Sequence, residues 1–215
     1  MWMTNRERSV GVTGDRAATA LLAMVLAAVA VGSGCSGSED DVTTPDVTER
    51  AAEILSVDRG DAEVRLVAAL DPSSCELHAA SPAGEPTSRP RYLVSLPDGT
   101  VIDDGHDDAA LEVLQACFTE GDGDRQVTDR PDGDAFARLV LALGDTPGPL
   151  VLADPAVAPR LLEPAGVEYH EPIVTETDDG ATVAFFAENP ERGTILLLDV
   201  AWRATGSLSI RSTSF

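Results

Sequence analysis

Acid–base and metal-ligating side chains gather at a few places along this 215-residue chain. Asp103, Asp104, His106, Asp107 and Asp108 form the densest group. Carboxylate oxygens suit Ca²⁺ and an imidazole suits transition metals, so a cation would be sought here first. The group contains Gly105 and abuts the start of a helical pattern, and helix capping with solvation accounts for it without a metal. Glu120, Asp122 and Asp124 alternate with glycine in the same way and read as a loop. Glu168, Tyr169, His170 and Glu171 bring together carboxylates, a phenol and an imidazole, the components of proton transfer. Adjacent residues of an extended strand point to opposite faces, which divides this set; a surface loop ahead of Pro172 is the simpler reading. His78 reads as a solvated loop residue. The sequence holds no Gly-x-Ser-x-Gly elbow, phosphate loop, His-Glu-x-x-His zinc site or EF-hand loop. Arg59-Gly60-Asp61 matches a tripeptide that integrins recognise, yet its residues are those of an ordinary turn.

Cys35 is the most telling of the three cysteines. Ahead of it, Arg6, Arg8 and Arg16 precede an apolar run over residues 17–31, and Gly32, Ser33 and Gly34 follow. A Ser, Gly and acidic stretch comes after it. That is the layout of an export signal, and over this leader alone the chain resembles bacterial lipoproteins. The resemblance implies a diacylglyceryl group on the Cys35 sulfur and cleavage immediately before Cys35. It also implies a cell-membrane protein whose folded part lies on the extracytoplasmic side. The family's box places an aliphatic residue three positions before the cysteine, where this chain has Gly32. The alternative is secretory cleavage after Ala28-Val29-Ala30, which leaves Cys35 a free thiol. A membrane-spanning helix is not expected, because the run over 17–31 is shorter than the ~20 residues a helix needs to cross a bilayer.

With Cys35 assigned to lipid, Cys75 and Cys117 remain. Neither sits in a Cys-x-x-Cys pair or beside a histidine, so a structural disulfide in an oxidising compartment is expected. The charge balance limits partners further. Asp and Glu number 37 against 15 Lys and Arg, for a net charge of −22. Nucleic acid is therefore excluded as a partner, since counterion release on a phosphate backbone needs clustered cations. Direct contact with anionic headgroups is disfavoured for the same reason.

These side chains must be positioned by one folded unit over residues 50–215, preceded by an acidic flexible tether over 35–49 and the signal over 1–34. A tether of a dozen residues spans ~20 Å as a coil, enough to lift a domain clear of headgroups. Two β-like runs, 52–57 and 62–70, flank Asp58-Arg59-Gly60-Asp61, with a helix over 48–57 as the alternative for the first. Val64, Leu66, Ala68 and Leu70 alternate with Glu63 and Arg65 as in a half-buried strand. Residues 81–90 read as a surface loop, and Pro97-Asp98-Gly99 turns a hairpin that places Tyr92 and Val94 on one face. A helix over 108–118, capped by Asp107 or Asp108, aligns Leu111, Leu114 and Phe118. A second begins after Asp134, repeats Phe136, Leu139, Val140 and Leu143, and stops at Gly144. A strand over 150–153 and a short helix over 157–162 come next. The C-terminal third, 172–177, 181–188, 194–203 and 207–214, reads as an antiparallel meander whose middle strands are apolar on both faces and whose last strand is an edge. The fold class is α+β, with the C-terminal meander carrying helices on one face and hairpins preceding it.

The function expected is that of a lipid-anchored extracytoplasmic domain, non-catalytic, binding a small molecule or another exported protein. No cofactor and no metal is called for. The competing class is a membrane-tethered hydrolase or divalent-metal-dependent enzyme, whose site would have to be assembled from distant segments.

Overall fold

A computed structural model describes residues 46–85, 89–120, 126–127 and 130–215. Cys35, the signal over 1–34, and Asp122 and Asp124 lie outside the described residues, as does all of the expected tether up to Pro45. The described chain opens with helix α1, Val47–Leu55, whose free amides begin at Asp46, the side chain accepting from Thr48 N at 3.4 Å. Arg50 and Glu53, one turn apart, pair at 2.9 Å on its exposed side. Ser56 ends it in the left-handed region, donating its N–H to Ala52 and Glu53 carbonyls. The β-like run over 52–57 is thus helical, as the alternative reading had it. Capping at both ends and an i,i+3 ion pair outweigh the strand-like composition. Val47 to Glu49, placed in the tether by composition, are the first turn of α1.

Four strands follow as an antiparallel meander: β1 Ala62–Ala69, β2 Glu76–Pro82, β3 Arg91–Ser95 and β4 Val101–Asp103. The turn at Arg59-Gly60-Asp61 is a single 3₁₀ turn. The alternation expected along β1 breaks at a bulge between Leu66 and Ala68. The extra residue, Val67, packs on the main core, while Leu66 is left 52% exposed. The β3–β4 hairpin turns at Gly99, with φ of 84°, and Leu96 N donates to Thr100 O at 2.8 Å. Tyr92 and Val94 both face the main core, as their spacing predicts.

Helix α2, Ala109–Phe118, and helix α3, Gly133–Leu143, come next, separated by the short pair β5 Thr119–Glu120 and β6 Gln126–Val127. Leu114 and Phe118 of α2, and Phe136, Leu139 and Val140 of α3, are fully buried. A disulfide joins Cys75, ahead of β2, to Cys117 in the last turn of α2, with Cα atoms 6.3 Å apart. Closing the intervening loop stabilises the fold by about 4 kcal/mol in the chain-entropy account.

The second sheet is built from β7 Val151–Leu152, β8 Ile173–Thr177, β9 Gly180–Asn189, β10 Thr194–Arg203 and β11 Ser207–Ser214, with helix α4, Ala158–Leu162, between β7 and β8. Its order is β11-β10-β9-β7, and β8 lies beside β9 further along the same edge as β7. All pairings are antiparallel. Val183, Phe185, Leu198, Val200 and Trp202 turn one face of this sheet into a core shared with α2, α3 and the inner residues Leu77, Val94 and Ile102 of the first sheet. Phe186 and Ile195 on the opposite face pack under Ala158 and Leu162 of α4. The middle strands are therefore apolar on both faces because both faces are covered. Helix α1 closes the outer side of the first sheet through Ala51, Ala80 and Leu93. The architecture is α+β with a C-terminal antiparallel meander, and the described residues belong to one compact unit. Among them no helix is long and apolar enough to cross a membrane.

Candidate functional site: an acidic groove beside helix α3

The densest carboxylate group is held by arginines. Asp103, at the end of β4, is buried; its Oδ2 receives Arg50 of α1 at 3.3 Å, and its Oδ1 accepts from Gly105 N at 2.8 Å. Asp104 takes Arg91 Nε at 2.5 Å on one oxygen and Tyr92 N at 3.1 Å on the other. The Arg50 guanidinium is held above its ordinary pKa, first by its hydrogen bond to Glu53 and then by the charge of Asp103, against the cost of burial. His106, Asp107 and Asp108 are exposed. Asp108 occupies the cap position of α2 in a left-handed conformation, but its side chain makes no cap bond. Among the described residues no three His, Cys, Asp or Glu side chains stand where they could hold a metal ion.

His78 departs from its expected place. It sits within β2 with a side chain only 12% exposed, its Nε2 3.2 Å from Ser95 Oγ and 3.3 Å from Glu76 Oε2. Serine, histidine and carboxylate are the members of a nucleophilic triad, but there the carboxylate holds the nitrogen opposite the serine. Here both contacts fall on one nitrogen, so Glu76 competes with Ser95 instead of orienting the ring toward it. Burial pushes the His78 pKa below the ordinary histidine value despite the opposing charge of Glu76.

The remaining group lies in the irregular segment ahead of β8. Tyr169 and His170 both pack against Phe186, with ring centroids 5.6 and 4.8 Å from its own, and His170 Nδ1 stands 2.8 Å from Glu171 O. Tyr169 and Glu171, two residues apart, line a groove of about 580 Å³. The opposite wall is the start of α3, where Asp132 caps the helix by accepting from Asp134 N at 2.7 Å and Ala135 N at 3.1 Å. Asp134 also pairs with Arg138 at 2.7 Å. Strand β7 and Asp154 supply the third side, Asp154 Oδ1 accepting from Ala156 N at 2.8 Å. Gly133 is needed where α3 meets the next segment, because a Cβ there would stand 2.9 Å from Pro172 O. Four lining carboxylates, Asp132, Asp134, Asp154 and Glu171, face one lining cation, Arg138. Their effect reaches the Tyr169 phenol, whose pKa is raised first by burial and then by Glu171, Asp134 and Asp154. Such a wall attracts a positively charged or hydrogen-bond-donating group. It presents no Ser, Thr or Cys as a nucleophile among its lining residues.

Tyr169 and Glu171 were legible as acid–base candidates; Asp132, Asp134, Arg138 and Asp154 were not. Residues in the 130s, the 150s and the 170s meet only through the pairing of β7 and β8 with one strand, which local periodicity does not encode. Comparison with protein-family models, with curated proteins and with solved structures finds no match to this chain.

Proposed function

We propose that this protein is a non-catalytic binding domain carried on the extracytoplasmic side of a membrane by lipid on Cys35, and that the groove beside α3 receives its ligand. The groove carries the reading. It is a concave space of about 580 Å³ lined by four carboxylates and one arginine, with no Ser, Thr or Cys among its lining residues, a composition suited to recognising a cationic group. A ligand with an amine or guanidinium group and a short apolar body fits it, the cation meeting Asp134 and Glu171 and the body lying against Val151 and Pro172. The Cys75–Cys117 bridge supports export, because disulfides persist in oxidising compartments.

The test is calorimetric titration of the purified protein with agmatine, a small guanidinium amine, at physiological salt. Saturable one-to-one binding that disappears in the Asp134→Asn, Glu171→Gln double variant is expected. Heat that vanishes with added salt and is indifferent to the double variant would reduce the groove to diffuse surface charge. A serine hydrolase at the Ser95–His78 contact is not favoured, because that contact lacks the orienting carboxylate.

A further inference from the structure

Among the described residues, strand β11 is the outer strand of the C-terminal sheet and no further strand pairs with its outer edge, which is built unlike the others. Long regular edges invite pairing, and proteins blunt them with bulges, brevity, charge or cover. Strand β1 at the margin of the first sheet carries the bulge at Leu66/Ala68, and β4 at its other margin has three residues. The far edge of β9 is occupied by β7 and β8. Strand β11 has neither bulge nor brevity and a single charge, Arg211: it runs eight residues in unbroken register with β10, without proline.

Its backbone polarity follows from one bond. Phe215 N donates to Ile195 O at 3.0 Å, so the odd-numbered residues of β11 direct their N–H and C=O toward β10. The N–H and C=O groups of Leu208, Ile210, Ser212 and Ser214 therefore point away from the sheet. The charge at this edge is also exceptional. From Val200 to Phe215 the chain has Arg203 and Arg211 and no Asp or Glu, although the whole chain carries 37, and the nearest acid is Asp199 of β10, opposite Arg211. A molecule of net charge −22 repels its own copies over most of its surface; along β11, which holds Arg211 and no Asp or Glu, that repulsion is reduced.

We propose that β11 is a self-association edge, two copies pairing their β11 strands antiparallel about a two-fold axis at Ile210. In this register Ile210 exchanges paired N–H···O bonds with its counterpart, and Leu208 does so with Ser212 of the second copy in both directions. Ser209 then stands opposite Arg211 and Ser207 opposite Thr213 as non-hydrogen-bonded pairs. An axis one residue later would bring the two Arg211 guanidiniums face to face, which like-charge repulsion opposes. The interface is isologous and closes as a dimer, joining the two C-terminal sheets into one.

Non-hydrogen-bonded antiparallel pairs bring Cα atoms to ~4.5 Å, within disulfide reach. Full-length Ser207→Cys and Thr213→Cys chains, purified in detergent, are mixed and oxidised, with the unsubstituted chain as the control for Cys35. The expected result is a disulfide-linked dimer in the mixture and in neither variant alone. Ser212→Pro, which removes an outward N–H that β10 does not use, should abolish that dimer while the circular dichroism is unchanged. The cross-link decides the matter without Ser212→Pro should that chain fail to fold. Absence of the mixed dimer, an equal yield from Thr213→Cys alone, or persistence of the dimer in a folded Ser212→Pro background would overturn the proposal. So would a β11 edge found cross-linked to a different protein in place of a second copy.

Discussion

His78 shows how a single side chain acquires a pH-dependent role by position. Burial in β2 depresses its pKa below the ordinary histidine value near 6.5, so the folded protein binds fewer protons than the unfolded chain as the medium turns acidic. Its contribution to stability is fully present above about pH 6.5 and is lost as the pH falls from there through the folded-state value. Thermal unfolding of the native protein and of His78→Gln at pH 7.5 and pH 5.5 should show the smaller acid-induced drop in the variant. An equal drop in both would mean that His78 is not a titrating element. The sequence misled at this residue because Cys75, Glu76 and His78 follow a Pro-Ser-Ser run that reads as loop. The alternation of Leu77 and Ala79 toward the core, with Glu76 and His78 opposite, was the signal available.

Glycines at the scale of elements separate a packing requirement from a turn preference. Gly133 opens α3 against Pro172 O and Val174, so Gly133→Ala should destabilise the protein by about 1–2 kcal/mol, the range for overpacking a close contact. At Gly60 an added methyl would meet no heavy atom within 4 Å, and Gly60→Ala should be neutral or slightly stabilising. Urea unfolding of the two variants side by side reads the contrast; equal midpoints would remove the packing argument. The elements themselves were largely legible. The β3–β4 hairpin, the α3 stripe ending at Gly144 and the C-terminal meander all follow from spacing and turn residues. The bulge in β1 was not, since one inserted residue in a strand leaves no compositional trace, and α1 was obscured by its short apolar run. The groove was least legible, because it depends on which strand edge β7 and β8 choose.

Two expectations belong to the whole molecule. If lipid on Cys35 holds the protein at a membrane, native protein should partition into the detergent phase and Cys35→Ala should not; unchanged partitioning would exclude the anchor. The carboxylates of the 103–108 group are exposed or already paired with arginine, as Asp103 and Asp104 are with Arg50 and Arg91. Calcium should accordingly bind weakly and lose its heat of binding at physiological salt, because diffuse charge is screened whereas a coordinating cage retains its ion. A saturable micromolar site removed by Asp104→Asn and Asp107→Asn together would restore the metal-dependent class.

Strands β7 and β8 occupy successive lengths of one edge of β9. Leu152 pairs with Ala187, and Ile173 pairs with Ala184. The β7 side of the groove and the segment that leads from Tyr169 into β8 therefore hang from the same backbone, and β9 acts as a ruler between them: from Ala184 to Ala187 an extended chain advances ~10 Å. A hinge between domains can widen a cleft at little cost, but the spacing of β7 from β8 can change only by breaking strand pairing. Its ordering entropy is spent when the protein folds, so a ligand matched to the gap would meet a pre-set gauge, and one of the wrong girth would be refused without any closing motion.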